Sequence, residues 1–173
     1  MKGGQFERDF AVRLSIWWTQ DLDEPRSDIF WRSTTSGARA TVRGKKGLKT
    51  SGSYGDISAI DPVGLPFLKA FTVECKRGYN RDTVQDLVDW DRGAWREWID
   101  KASQSAKQAG SKWWMLVVKR DRREPLMALR ADVPTPFYPC LRIEMATYVY
   151  RLEQLWESDP KWVTDALELD EVE

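Results

Sequence analysis

There is no histidine among the 173 residues, and this removes imidazole as a general base, proton shuttle or metal ligand. Ser-His-Asp hydrolysis, Cys-His proteolysis, the common zinc hydrolases and histidine-dependent metal nucleases are thereby excluded. Carboxylate and lysine chemistry around a hard cation remains. The two cysteines, Cys75 and Cys140, are too few for a disulfide framework or a zinc site. No run of about 18 apolar residues occurs, and Met1-Lys2-Gly3-Gly4-Gln5 leads into a polar, charged segment instead of an apolar signal core. The expectation is a cytoplasmic protein with no membrane partner.

Excess charge of one sign is also missing, with 27 Lys plus Arg against 27 Asp plus Glu. The charges are nevertheless segregated. No acid occurs between Ile29 and Gly55, whereas Arg32, Arg39, Arg43, Lys45, Lys46 and Lys49 all fall there; from Glu157 onward Lys161 is the only base. Such asymmetry marks a local phosphate-binding surface on an otherwise neutral chain. The length and a composition 42% hydrophobic and 31% charged suit one globular domain over residues 1–173.

The pattern of elements is α/β. Phe6, Phe10, Leu14, Trp17 and Trp18 recur at helical spacing. A short strand is predicted over 29–33, and a long, basic, mobile loop over about 34–54, rich in Gly, Ser and Thr. Strands follow over Asp56–Ile60 and Phe67–Lys76, separated by a turn at Asp61–Pro66. A helical region then carries Trp95, Trp98, Ile99, Ala102 and Ala106 on one stripe, with Gly93 as an internal break and Gly110 as its stop. Trp113–Val118 is an apolar run suited to a strand buried on both faces, and Leu126–Leu129 is another strand. Residues 141–156 read as a strand and a helix, and Asp159-Pro160 opens a last short helix before an acidic tail. This order predicts a central mixed β-sheet flanked by helices, with Asp56, Glu74 and Lys76 at the sheet's middle.

The chemistry concentrates in Gly55-Asp56-Ile57 and Val73-Glu74-Cys75-Lys76. Side chains alternate along a strand, so Glu74 and Lys76 share one face while Cys75 points to the other as a small buried hydrophobe. Mg²⁺ takes oxygen ligands and keeps several waters, so Asp56, Glu74 and the backbone carbonyl of Cys75 suffice to anchor it, with Mn²⁺ as a substitute. Lys76 can orient a metal-bound water, tune its deprotonation or neutralise charge in a phosphoryl transition state. Asp159-Pro160-Lys161 repeats the acid-x-lysine spacing, but its proline places it in a turn or helix start. Asp61 rivals Asp56, although its parity and its Asp-Pro context favour a turn. Glu7 lies on the buried side of the first helix, where a carboxylate needs a partner. Arg32 and Ser33 suit phosphate binding beside the basic loop, as do Arg77 and Tyr79 just past the Glu-x-Lys strand. Gln104 and Gln108 fall opposite the apolar stripe and read as solvated. Most of the ten tryptophans fall on apolar stripes, so Trp17, Trp98, Trp113 and Trp114 read as core rather than as base-stacking platforms.

Taken together, the helix Gly3-Gly4-Gln5-Phe6-Glu7-Arg8, Arg32-Ser33, the Gly/Ser loop, Gly55-Asp56-Ile57 and Val73-Glu74-Cys75-Lys76 resemble the PD-(D/E)XK nuclease superfamily. Within it the pattern is similar to archaeal-type Holliday junction resolvases and to small phage or prophage proteins. The named motifs cover residues 3–78, and element order extends the likeness to about 120. The resemblance implies a restriction-endonuclease-like core and a Mg²⁺-dependent DNA endonuclease with Asp56 and Glu74 as metal ligands. It further implies Lys76 as catalytic lysine, Glu7 as an additional catalytic acid, and a homodimer in the resolvase branch. Gly55 stands where the superfamily's name has proline, and the loop before Asp56 is longer than in compact resolvases. The rival expectations are a catalytically silent nucleic-acid-binding module on the same fold and a protein-interaction module with tryptophan-rich faces.

Overall fold

A computed structural model describes residues 2–33, 54–90, 93–143 and 146–169. The first helix, α1 (Lys2–Trp18), buries Phe6, Phe10, Ala11, Leu14 and Trp17 along one stripe, as its spacing predicts. Ser15, also buried, donates to the Ala11 carbonyl at 2.8 Å and accepts from the Phe30 N–H at 2.8 Å, tying the next strand to the helix. That strand, β1 (Phe30–Arg32), pairs antiparallel with β2 (Ile57–Ala59) in the register Phe30 to Ala59. The two form a ladder of their own.

A 3₁₀ turn at Pro62–Gly64 and a helix α2 (Leu65–Ala70) come before β3 (Phe71–Arg77). Residues 67–70 are therefore helical, not the start of the strand. Pro66 sits in the first helical turn, where its missing N–H and fixed φ fit, and Phe67 and Ala70 bury one face. Beyond β3 lie α3 (Val84–Trp90), α4 (Ala94–Ala109), β4 (Trp113–Lys119), β5 (Leu126–Arg130), β6 (Leu141–Ile143), β7 (Thr147–Arg151), α5 (Glu153–Glu157) and α6 (Lys161–Glu168). Gly93 separates α3 from α4, and Gly110 closes α4 in the left-handed region at φ 74°, both as expected. Residues 141–156 hold two strands and the start of a helix where one strand and a helix were expected.

The main sheet has five strands in the order β3-β4-β5-β7-β6, with β3 and β4 parallel and the other neighbours antiparallel. This is the mixed, helix-flanked α/β arrangement of a restriction-endonuclease-like core. Alternation divides the core between its faces. Val73, Cys75, Met115 and Val117 pack with α1, α2 and α6, whereas Trp114, Leu116 and Val118 pack with the apolar stripe of α4. Trp17, Trp98, Trp113 and Trp114 are all buried.

One expectation is corrected by this topology. The Glu-x-Lys strand is the edge of the five-stranded sheet rather than its middle. Its outer side is met by the backbone of Asp56, whose N–H donates to the Val73 carbonyl at 2.7 Å, and the pairing does not continue as a ladder. Among the described residues no helix is long and apolar enough to cross a membrane.

Candidate active site

Asp56 lies one residue before β2 and is 6% exposed. Its backbone is clamped on both sides, with its carbonyl accepting from the Ser33 N–H at 2.9 Å and its N–H donating to Val73. Its side-chain Oδ2 accepts the Cys75 N–H at 2.8 Å, which brings the carboxylate against the middle of the Glu-x-Lys segment. Gly55 makes this approach possible. Its φ is +79°, and a Cβ there would fall 2.6 Å from the Val73 carbonyl oxygen and 2.8 Å from the Thr72 methyl. A proline, with φ fixed near −65°, cannot adopt this backbone, which accounts for glycine at that position. Gly55→Ala is expected to cost about 2 kcal/mol or more, from the left-handed backbone and the clash with β3. Chemical unfolding measures it; a loss under about 0.5 kcal/mol, within the range of a bland surface change, would mean the junction relaxes freely.

Glu74 is 2% exposed and lies on the α4 face of β3. Lys76 Nζ sits 3.2 Å from Glu74 Oε2, as their shared parity predicts. Two further groups reach the same carboxylate from α4. Lys101 Nζ is 3.1 Å from Oε2, and Ser105 Oγ donates to Oε1 at 3.1 Å. Sequence reasoning missed both, and a signal existed. Lys101 and Ser105 stand three and seven positions after the buried Trp98, on the flank of the stripe that faces the sheet. Gln104 and Gln108, one step further round, are exposed as expected.

The electrostatics follow from burial. Removal from water, then the charge of Glu74, push the Asp56 carboxyl up to about 6, against the pull of the Cys75 N–H and of Lys76. Lys76 is pulled down by burial, but Glu74 and Asp56 together outweigh this and hold its ammonium above the usual lysine range. Cys75 is buried and free, and burial followed by the charge of Asp56 drives its thiol well above the ordinary range.

The remaining expected residues occupy definite places. Glu7, its side chain 14% exposed, pairs with the Arg32 guanidinium, which answers the need for a partner on the buried side of α1. Glu7 also adds to the negative field on Asp56. Ser33 is buried, and its N–H braces Asp56, so it offers support rather than open surface. Arg77 reaches Asp121 at 3.7 Å, and Asn80 exchanges hydrogen bonds of 3.1 and 2.8 Å with that aspartate, clasping the segment after β3 to the β4–β5 turn. Tyr79 is exposed and stands edge-on to Trp98 with ring centres 4.8 Å apart. Asp61 caps the 3₁₀ turn through the Val63 N–H at 2.9 Å and pairs with Arg26 at 2.9 Å. Arg39, Arg43, Lys45, Lys46 and Lys49 lie outside the described residues.

Among the described residues no three acidic or thiol side chains converge closely enough to cage a metal by themselves. The donors that do meet are hard oxygens. Two buried carboxylates, one of them resisting ionisation first because of its burial and then because of the other's charge, form an environment that a divalent cation relieves. Such a donor set fits a magnesium-like ion completed by backbone and water oxygens.

A family model described as "Phage putative PDDEXK endonuclease" matches residues 1–154. No curated protein and no solved structure matches the chain significantly. With its motifs and its mixed helix-flanked sheet inside the matched span, the chain belongs to this phage family of the PD-(D/E)XK superfamily.

Proposed function

We propose that this phage-type PD-(D/E)XK protein is a divalent-metal-dependent DNA endonuclease whose catalytic group is Asp56, Glu74 and Lys76, with Glu7 as a supporting acid. The observation that carries the reading is the convergence of Asp56 and Glu74, both buried, with a lysine ammonium on the second of them. Asp56, Glu74 and the Cys75 carbonyl would hold Mg²⁺ or Mn²⁺, which supplies a more acidic bound water and positive charge against a phosphate oxygen. Lys76 acts as a cation. With its pKa raised it donates hydrogen bonds to an attacking water or to charge developing on the phosphate, in preference to accepting a proton. Glu7 and Arg32 brace the strand leading to Ser33, whose N–H holds Asp56 in place.

In this reading the basic segment from Arg32 through Arg39, Arg43, Lys45, Lys46 and Lys49, with Arg77 and Tyr79, follows the phosphate backbone. Arg32 and Arg77 are held by Glu7 and Asp121 without DNA and change partners when phosphates arrive. The likeness to junction resolvases makes branched DNA the first substrate to test, and a homodimer the form to look for.

Purified protein is expected to cut at least one of duplex, single-stranded, flapped or four-way DNA with Mg²⁺ or Mn²⁺ and to stop in EDTA. If all four remain intact with either metal, the catalytic reading fails. Salt-sensitive binding without cleavage would instead identify a silent nucleic-acid-binding module.

A further inference from the structure

Glu74 is over-supplied with partners for a metal ligand. Oε1 takes the Ser105 hydroxyl, and Oε2 takes two ammonium groups, Lys76 at 3.2 Å and Lys101 at 3.1 Å. A cation that binds Glu74 must therefore displace something. Lys76 cannot easily leave, since its side chain is 14% exposed and it is anchored on β3 inside the site. Lys101 can, because its side chain is 53% exposed and extends from the outer flank of α4.

Resting on the metal-dependent reading above, we propose that Lys101 is a displaceable counter-ion of Glu74: it occupies Oε2 in the metal-free protein and sets how tightly the site takes a divalent cation. The charges make the exchange reasonable. Asp56 and Glu74 are balanced by Lys76 and Lys101 without metal, and adding two positive charges with both lysines in place would overfill the site. Departure of the exposed lysine lowers that excess and returns its ammonium to water at little cost. Ser105 keeps Oε1 oriented throughout, which makes it and Lys101 positioning residues rather than catalytic ones.

The test is calorimetric titration of the full chain with Mg²⁺, Mn²⁺ or Ca²⁺ alone, without DNA and at low ionic strength. Lys101→Gln is expected to bind the cation about fivefold to tenfold more tightly than wild type, because a competing charge a few ångströms from the site is gone. Lys101→Arg, which keeps the charge, is expected to stay within about twofold. Thermal unfolding in EDTA establishes that both variants fold. A merely structural lysine would leave affinity unchanged or weaken it when removed, and either result in Lys101→Gln overturns the proposal. If the wild-type chain binds and cleaves while Lys101→Gln matches its affinity, only this inference falls. If the wild type binds no divalent cation, the metal-dependent reading falls with it.

Discussion

Replacing Lys76 by methionine is expected to lower the single-turnover rate of DNA cleavage by on the order of 10³-fold, with little change in fold. Methionine approximates the length of the lysine stem, so packing along β3 survives. What disappears is the ammonium 3.2 Å from Glu74 Oε2. Lys101 and Ser105 still compensate the buried Glu74 carboxylate, so the variant should unfold cooperatively near the wild-type midpoint. Lys101 does not replace Lys76, because it approaches from an exposed helix flank while Lys76 lies inside the site. Glu74→Ala is expected to remove cleavage as well, but it strands two cations and so disturbs stability more. Wild-type nicking by Lys76→Met would move the catalytic centre away from β3.

Asp56→Asn separates function from stability. The Asp56 carboxyl is raised from an ordinary 3.8 to about 6 in the fold, first by burial and then by Glu74. A raised carboxyl favours folding most below its unfolded pKa, and that contribution is lost as pH climbs through the folded value. The metal-free wild type should therefore lose stability between about pH 4 and pH 6.5, by up to about 3 kcal/mol from this group. Lys76 is raised from 10.5 and does not contribute in that window. Asp28 and Asp61 are lowered from 3.8, and their contributions are lost only as pH falls through more acid values. An asparagine keeps an acceptor for the Cys75 N–H and has no charge to bury. In EDTA at pH 8 the variant should be more stable than wild type by about 1–3 kcal/mol, a gap closing towards pH 4. It should not cleave, and divalent cations that raise the wild-type melting temperature should leave its own unmoved. A variant less stable than wild type at pH 8 would mean the charged carboxylate supports the fold.

Much of the site is legible in the chain because its signals are local. Strand periodicity alone places Glu74 and Lys76 on one side and Cys75 on the other, and their separation in the fold agrees. The lack of histidine restricts the chemistry through composition alone. Helical spacing identifies the buried stripes of α1 and α4, and the glycines at 93 and 110 mark the ends of α4. Local signals mislead where two states compete closely. Phe67–Ala70 is apolar enough for a strand, and the proline at 66 together with the burial of Phe67 and Ala70 decides for helix.

The reaction class open to this protein, the acid-x-lysine strand and the family pattern are written along the chain, since they depend on residue type and on periods of two or 3.6. Which groups meet is a matter of tertiary packing. Packing folds Gly55 against Val73 so that Asp56 reaches the Cys75 N–H, sets β3 at the sheet edge, and turns α4 so that Lys101 and Ser105 grip Glu74. It likewise engages Arg32 with Glu7 and Arg77 with Asp121. Residues separated by 18 positions (Gly55 and Val73) to 44 positions (Arg77 and Asp121) come together through helix and strand packing, and no local period encodes such distances.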